Sequence, residues 1–138
     1  MRYLGLDLGT KTLGISLSDT TGLIASAYKT INFKESDYES LISPLKSIID
    51  EFNISEVVLG LPKNMDNSLG FASDRSLNFK DLLEEKLGLI VHMQDERLTS
   101  KEADKIMLEA NLSRKKRKDK IDALASTIIL QSFLDSRR

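Results

Sequence analysis

The chain has 138 residues, 20 basic against 21 acidic, and no cysteine. Disulfides, thiolate metal sites and cysteine nucleophiles are therefore excluded, and no apolar run approaches the roughly 20 residues that span a bilayer. The length suits one domain over residues 1–138, large enough to bury about two thirds of its unfolded surface. The N-terminus enters a strand pattern with neither a basic stretch nor a long apolar segment, so a cytoplasmic protein with no membrane partner is expected.

The chain opens on the stretch from Tyr3 to Ser16, two strand patterns joined by a tight turn at Gly9-Thr10-Lys11-Thr12. Alternation puts Leu4, Leu6 and Leu8 on one face and Tyr3, Gly5, Asp7 and Gly9 on the other. Asp7 then stands between two residues without side chains. A strand-centre carboxylate needs a partner, because burying it unpaired costs several kcal/mol. A metal ion or other acidic-site chemistry would supply one. The alternative is that Asp7 caps the turn and Gly9 supplies a positive φ.

A turn at Asp19-Thr20-Thr21-Gly22 leads to a third strand over 23–31, which predicts three consecutive antiparallel strands. Leu41, Leu45, Ile48, Ile49 and Phe52 form the stripe of an amphipathic helix over about 36–52. A short apolar strand over 54–61 follows, central and parallel to the first because a helical crossover joins them. The loop after it carries Asn64 and Ser68 and lies at a carboxyl strand end, where open α/β sheets place ligand sites. A helix over 69–87 is closed by Gly88, and a fifth strand over 89–94 runs into Asp95-Glu96-Arg97. Thr99-Ser100-Lys101-Glu102 has capping-box spacing, so a further helix is predicted from Ser100 to about Ala110.

Arg114-Lys115-Lys116-Arg117-Lys118-Asp119-Lys120 holds six basic residues and one acidic residue, leaving 14 basic and 20 acidic elsewhere. Such a segment can be offered to phosphates while the remainder stays acidic, or it can be a solvated loop between helices. A last helix, apolar almost all round, is predicted over about 120–134 as a buried element across the sheet. Asp122 falls in its first turn, where the helix dipole alone would favour a carboxylate.

Three antiparallel strands, helix, strand, helix, strand and two helices is the order of the α/β ribonuclease H-like fold, a mixed five-stranded sheet flanked by helices. The blocks from Asp7 to Ser16, Val57-Val58-Leu59-Gly60-Leu61-Pro62 with Asn64 to Ser68, Asp95-Glu96-Arg97-Leu98-Thr99 and Ile121-Asp122-Ala123-Leu124-Ala125 resemble the signature blocks of the YqgF/RuvX family. The resemblance spans nearly the whole chain. It implies kinship with Holliday-junction resolvases and a nuclease maturing the 5′ end of precursor 16S rRNA. It carries over an acidic site of Asp7, the Asp95-Glu96 pair and Asp122. Thr12 stands where the family commonly has Arg, and Asn67 where Gly is usual.

Phosphodiester hydrolysis suits two divalent ions held by carboxylates, and Mg²⁺ or Mn²⁺ fits these oxygen ligands. Asp7, Glu96 and Asp122 are the expected metal ligands. On an extended strand Asp95 and Glu96 point to opposite faces, so only one readily joins Asp7, and Glu96 is preferred. Arg97 would pair with the remaining carboxylate or the scissile phosphate. Thr10, Lys11, Asn64, Ser68 and the run Arg114, Lys115, Lys116, Arg117 and Lys118 would hold the nucleic-acid backbone without reading bases. His92 reads as a satisfied core residue, and no base-stacking platform is evident. The partners expected are precursor 16S rRNA, branched DNA as the alternative, and ribosomal particles, bound by a monomer or homodimer. Two rivals are a sugar-kinase or actin-type ATPase, which needs two such domains, and an RNA-binding assembly factor that keeps the fold without cutting.

Overall fold

The computed structural model describes residues 1–62, 71–96 and 114–137. The strands are β1 (Tyr3–Leu8), β2 (Thr12–Ser18), β3 (Ala25–Asn32), β4 (Glu56–Pro62) and β5 (Val91–Glu96), and the helices are α1 (Ile42–Phe52), α2 (Phe71–Leu87) and α3 (Arg114–Ser136). They form one sheet of order β3-β2-β1-β4-β5. The first three strands pair antiparallel, while β4 is parallel to both β1 and β5. This is the mixed sheet predicted from the order of elements, with the fourth strand central as expected.

Strand alternation sorts the residues into two cores. Leu4, Leu6, Leu8, Leu13, Ile15, Leu17, Val57 and Leu59 face Leu45, Ile48, Phe79 and Leu83 of α1 and α2. The opposite face presents Tyr3 and Val58 to Ile129, Leu130, Phe133 and Leu134 of α3. Both faces of the sheet are thus covered, and β3 is a half-exposed edge.

Several boundaries differ from the sequence reading: β4 and β5 each start two residues later than expected, and β5 runs through Asp95 and Glu96 rather than ending at Gln94. The third strand starts at Ala25 rather than Leu23, because the N–H groups of Leu23 and Ile24 both donate to Asp19 Oδ1, at 2.9 and 3.1 Å. The helix predicted over 36–52 begins as a 3-10 turn, Tyr38–Leu41, and becomes α-helical only at Ile42, after Ser36 takes a left-handed φ of 69°. Pro44 falls in the first turn of α1, where its missing N–H breaks no intrahelical bond. The last helix begins at Arg114 rather than 120, so the basic run is helical and not a loop. Arg and Lys are strong helix formers, and nothing in that run interrupts the pattern. The helix predicted from Ser100 to about Ala110 lies outside the described residues.

The Asp19 carboxylate also accepts from the Thr21 hydroxyl, and this bond followed by those to Ile24 and Leu23 lowers its pKa to about 2. A depressed carboxyl pKa gives stability that is present above the unfolded value and lost as pH falls through the folded one. Asp19→Asn is therefore expected to lower the melting temperature at pH 7, with the gap from wild type closing between about pH 4 and pH 2. A constant gap across that range in calorimetric melts would show that the turn does not depend on this charge.

Candidate active site

The site is built around the last turns of β1. Asp7 pairs in register with Gly14 of β2, and Gly60 follows Leu59, the β4 partner of Leu6. The carboxylate is therefore flanked on both neighbouring strands by residues without side chains. It is nevertheless buried, at 9% exposure. Across the same face of the sheet runs α3, antiparallel to β1: the Phe133 ring meets Tyr3 at 5.6 Å, Leu130 lies over Gly5, and Ser126 Oγ hydrogen-bonds Ser16 Oγ at 2.9 Å. From Phe133 to Leu130 the helix steps from Tyr3 to Gly5, toward the carboxyl end of β1, and Ser126 meets Ser16, the β2 partner of Gly5. Position 122 lies one helical turn before Ser126, on the N-terminal side.

The register of β5 separates the two acidic neighbours. Gln94 pairs with Gly60 and Glu96 with Pro62, so position 96 shares the face of Asp7, whereas Asp95 pairs with Leu61 and belongs to the opposite face. Asp95 is exposed. The opposite faces expected for Asp95 and Glu96 agree with the backbone register. The side chains of Glu96 and Asp122, and all of Asn64, Ser68 and Arg97, lie outside the description. Among the described residues no group of three or more His, Asp or Glu is placed to hold a metal.

The hairpin turn is closed by the Gly9 N–H donating to the Thr12 carbonyl at 2.8 Å, and Thr10 and Lys11 are exposed at its tip. Gly9 does not take a positive φ; among the described residues the left-handed glycines are Gly22 and Gly88. The alternative role for Gly9 as a left-handed turn residue is therefore corrected: what the position needs is room, since a Cβ there would stand 3.2 Å from Thr12 Oγ1. His92 is satisfied as expected, with Nε2 2.6 Å from Glu56 Oε1 and its ring 4.8 Å from that of Phe133, toward the far end of the parallel strands. The backbone of Arg114, Lys115, Lys116, Arg117 and Lys118 continues α3 beyond position 122, about 12 Å of helix at the same end as Asp7.

The sequence reading missed the Ser16–Ser126 bond that seats α3. A signal was present, because Gly5, Gly14, Ser16 and Ser18 keep one face of the hairpin small.

Compared with known proteins, residues 1–136 match the model of RuvX, described as a Holliday junction resolvase. The chain belongs to the RuvX family. A candidate pre-16S rRNA nuclease of Clostridium kluyveri is 48% identical over 135 residues, covering 98% of this chain and 97% of the relative. Another, from Geobacillus sp., is 45% identical over 138 residues with both chains covered in full. Among solved structures, RuvC of Thermus thermophilus in complex with a Holliday junction substrate aligns with a TM-score of 0.61 at 17% identity, covering 99% of this chain and 95% of that one. The Fowlpox virus resolvase bound to Holliday junction DNA gives 0.59 at 14%, covering 99% of each. RuvX members therefore share the ribonuclease H-like fold seen here, and theirs is a family of nucleases.

Proposed function

We propose that this chain is a metal-dependent endonuclease that matures the 5′ end of precursor 16S rRNA, within ribosomal particles in the cytoplasm. The observation that carries the reading is Asp7. A buried carboxylate at the end of a central strand, with Gly14 and Gly60 beside it and position 96 on the same face, is the hard oxygen donor that divalent cations take. The donor chemistry agrees, since the chain has no cysteine and its sole histidine is held by Glu56.

Asp7 from β1, Glu96 from β5 and Asp122 from α3 would hold Mg²⁺ or Mn²⁺. Such ions, when bound, activate a water and offset the charge that develops on the phosphoryl oxygens. Asp7 is buried on the sheet face that α3 covers, so its carboxylate would be held in a low-dielectric setting before substrate arrives. Thr10 and Lys11 at the turn tip, together with Arg114 to Lys118, would hold the phosphate backbone. Asp95, on the other face, has no share in the ion site.

The description of the matching family model favours a second reading, cleavage of branched DNA, which would call for a symmetric dimer to cut two strands. Both readings are tested by incubating the protein with a precursor 16S 5′ fragment and with a four-way DNA junction, in Mg²⁺, in Mn²⁺ and in chelator. Cutting of the RNA by a monomer, abolished by chelator, is the expected result. Cutting of the junction alone by a dimer would replace it with the resolvase reading. Metal-insensitive cutting would overturn the ion site, and tight binding without cutting would favour an assembly factor.

A further inference from the structure

The geometry points to a second nucleic-acid subsite, a pocket for one unpaired guanine nucleotide of the substrate strand, beside the β1–β2 turn on the side of the sheet away from α3. A cavity of about 420 Å³ opens there between the turn, the segment after β3 and the second turn of α2. Thr10 lines it, three residues on from Asp7, so a strand with its scissile phosphate at Asp7 that crosses the turn comes to this cavity next. The inference rests on that placement of the phosphate.

The lining selects the ligand. Glu35 and Asp74 contribute carboxylates, Arg75 a guanidinium and Asn78 an amide, yet none of the four forms a side-chain hydrogen bond or ion pair among the described residues. Arg75 Nε is buried without a hydrogen-bond partner among the described residues. Charged groups of both signs that share a cavity without pairing to each other suit a ligand that carries donors and acceptors side by side. A phosphate presents acceptors only, and the two carboxylates would repel it. Guanine presents adjacent N–H donors at N1 and N2, which a carboxylate accepts, and acceptors at O6 and N7, which an arginine reads. Reading an unpaired base by its edges is the usual route to sequence preference in RNA. Sequence reasoning found no such preference because the pocket joins three segments far apart in the chain and does not depend on an aromatic platform; Tyr38 lines it, but its ring is engaged with Phe33 and Phe79.

The test is fluorescence anisotropy in chelator, where no cutting occurs, with labelled oligocytidine carrying one guanosine, inosine or adenosine. The full chain is expected to bind the guanosine oligomer roughly tenfold more tightly than the adenosine one, with inosine between because it lacks the N2 amine. Asp74→Asn and, separately, Glu35→Gln should shrink the guanosine-to-adenosine ratio, and Arg75→Gln should lower it as well. Both carboxylates are exposed, and their variants are expected to fold; a circular dichroism melt checks this. Equal affinity for the three oligomers, or a ratio untouched in all three variants, would overturn the pocket. A ratio that is present while the wild type cuts no nucleic acid in Mg²⁺ would leave the pocket standing and remove the nuclease reading instead.

Discussion

Asp7→Asn is expected to reduce metal-dependent cleavage by on the order of a hundredfold or more while leaving the melting curve nearly unchanged. The amide matches the carboxylate in shape, so packing between the sheet and α3 survives. What it lacks is the negative charge and one anionic oxygen donor, and neither Gly14 nor Gly60 beside it can supply a replacement. The two acidic neighbours on β5 sharpen the test. Glu96→Gln should fall with Asp7→Asn because position 96 shares its face, and Asp95→Asn should retain most activity because position 95 belongs to the other. Single-turnover rates across the three variants read this directly. Full activity in Asp7→Asn would remove the acidic site, and an inactive Asp95→Asn beside an active Glu96→Gln would reverse the choice between the pair.

Gly5→Ala is expected to lower the unfolding free energy by about 1–3 kcal/mol. A Cβ at this position would overlap Ser16 Oγ outright and stand 2.8 Å from Leu130 Cβ, so α3 must lift or the hairpin must bend. Interiors packed to crystal density have no slack to absorb the shift. Because α3 carries position 122, cleavage should fall together with stability. Ser16→Ala removes one of the clashing atoms and breaks the bond to Ser126, so the double variant should be less destabilised than the sum of the two singles. Urea unfolding of the four proteins measures that coupling. Additive effects would show that Gly5 and Ser16 do not share one contact with the helix.

The strand faces were legible in the sequence because a period of two is unambiguous when leucine alternates with glycine, tyrosine and aspartate. Thus the sides taken by Leu4, Leu6 and Leu8 and by Tyr3, Gly5 and Asp7 both held. The same rule anticipated the split between Asp95 and Glu96. Residues whose meaning depends on a distant partner were less legible. Ser16 and Ser126 are 110 positions apart, and Gln131 receives the Ala25 N–H at 2.9 Å while donating to the Leu23 carbonyl. The small hairpin face signals a close neighbour but not which one, and Gln131 has no local signature. The start of α3 was misplaced because a charge run was weighed as a solvated segment, although its helix propensity is high.

The 23 residues of α3 form one uninterrupted rod about 34 Å long. Its far half is anchored by Leu130, Phe133 and Leu134, its middle by Ser126, and its near end carries the basic run. No hinge separates the grip from position 122. On the proposed function, a strand held at residues 114–120 would pass its load as torque to position 122 and onward to the Ser16–Ser126 fulcrum, so seating the substrate and aligning the acid would be a single mechanical event.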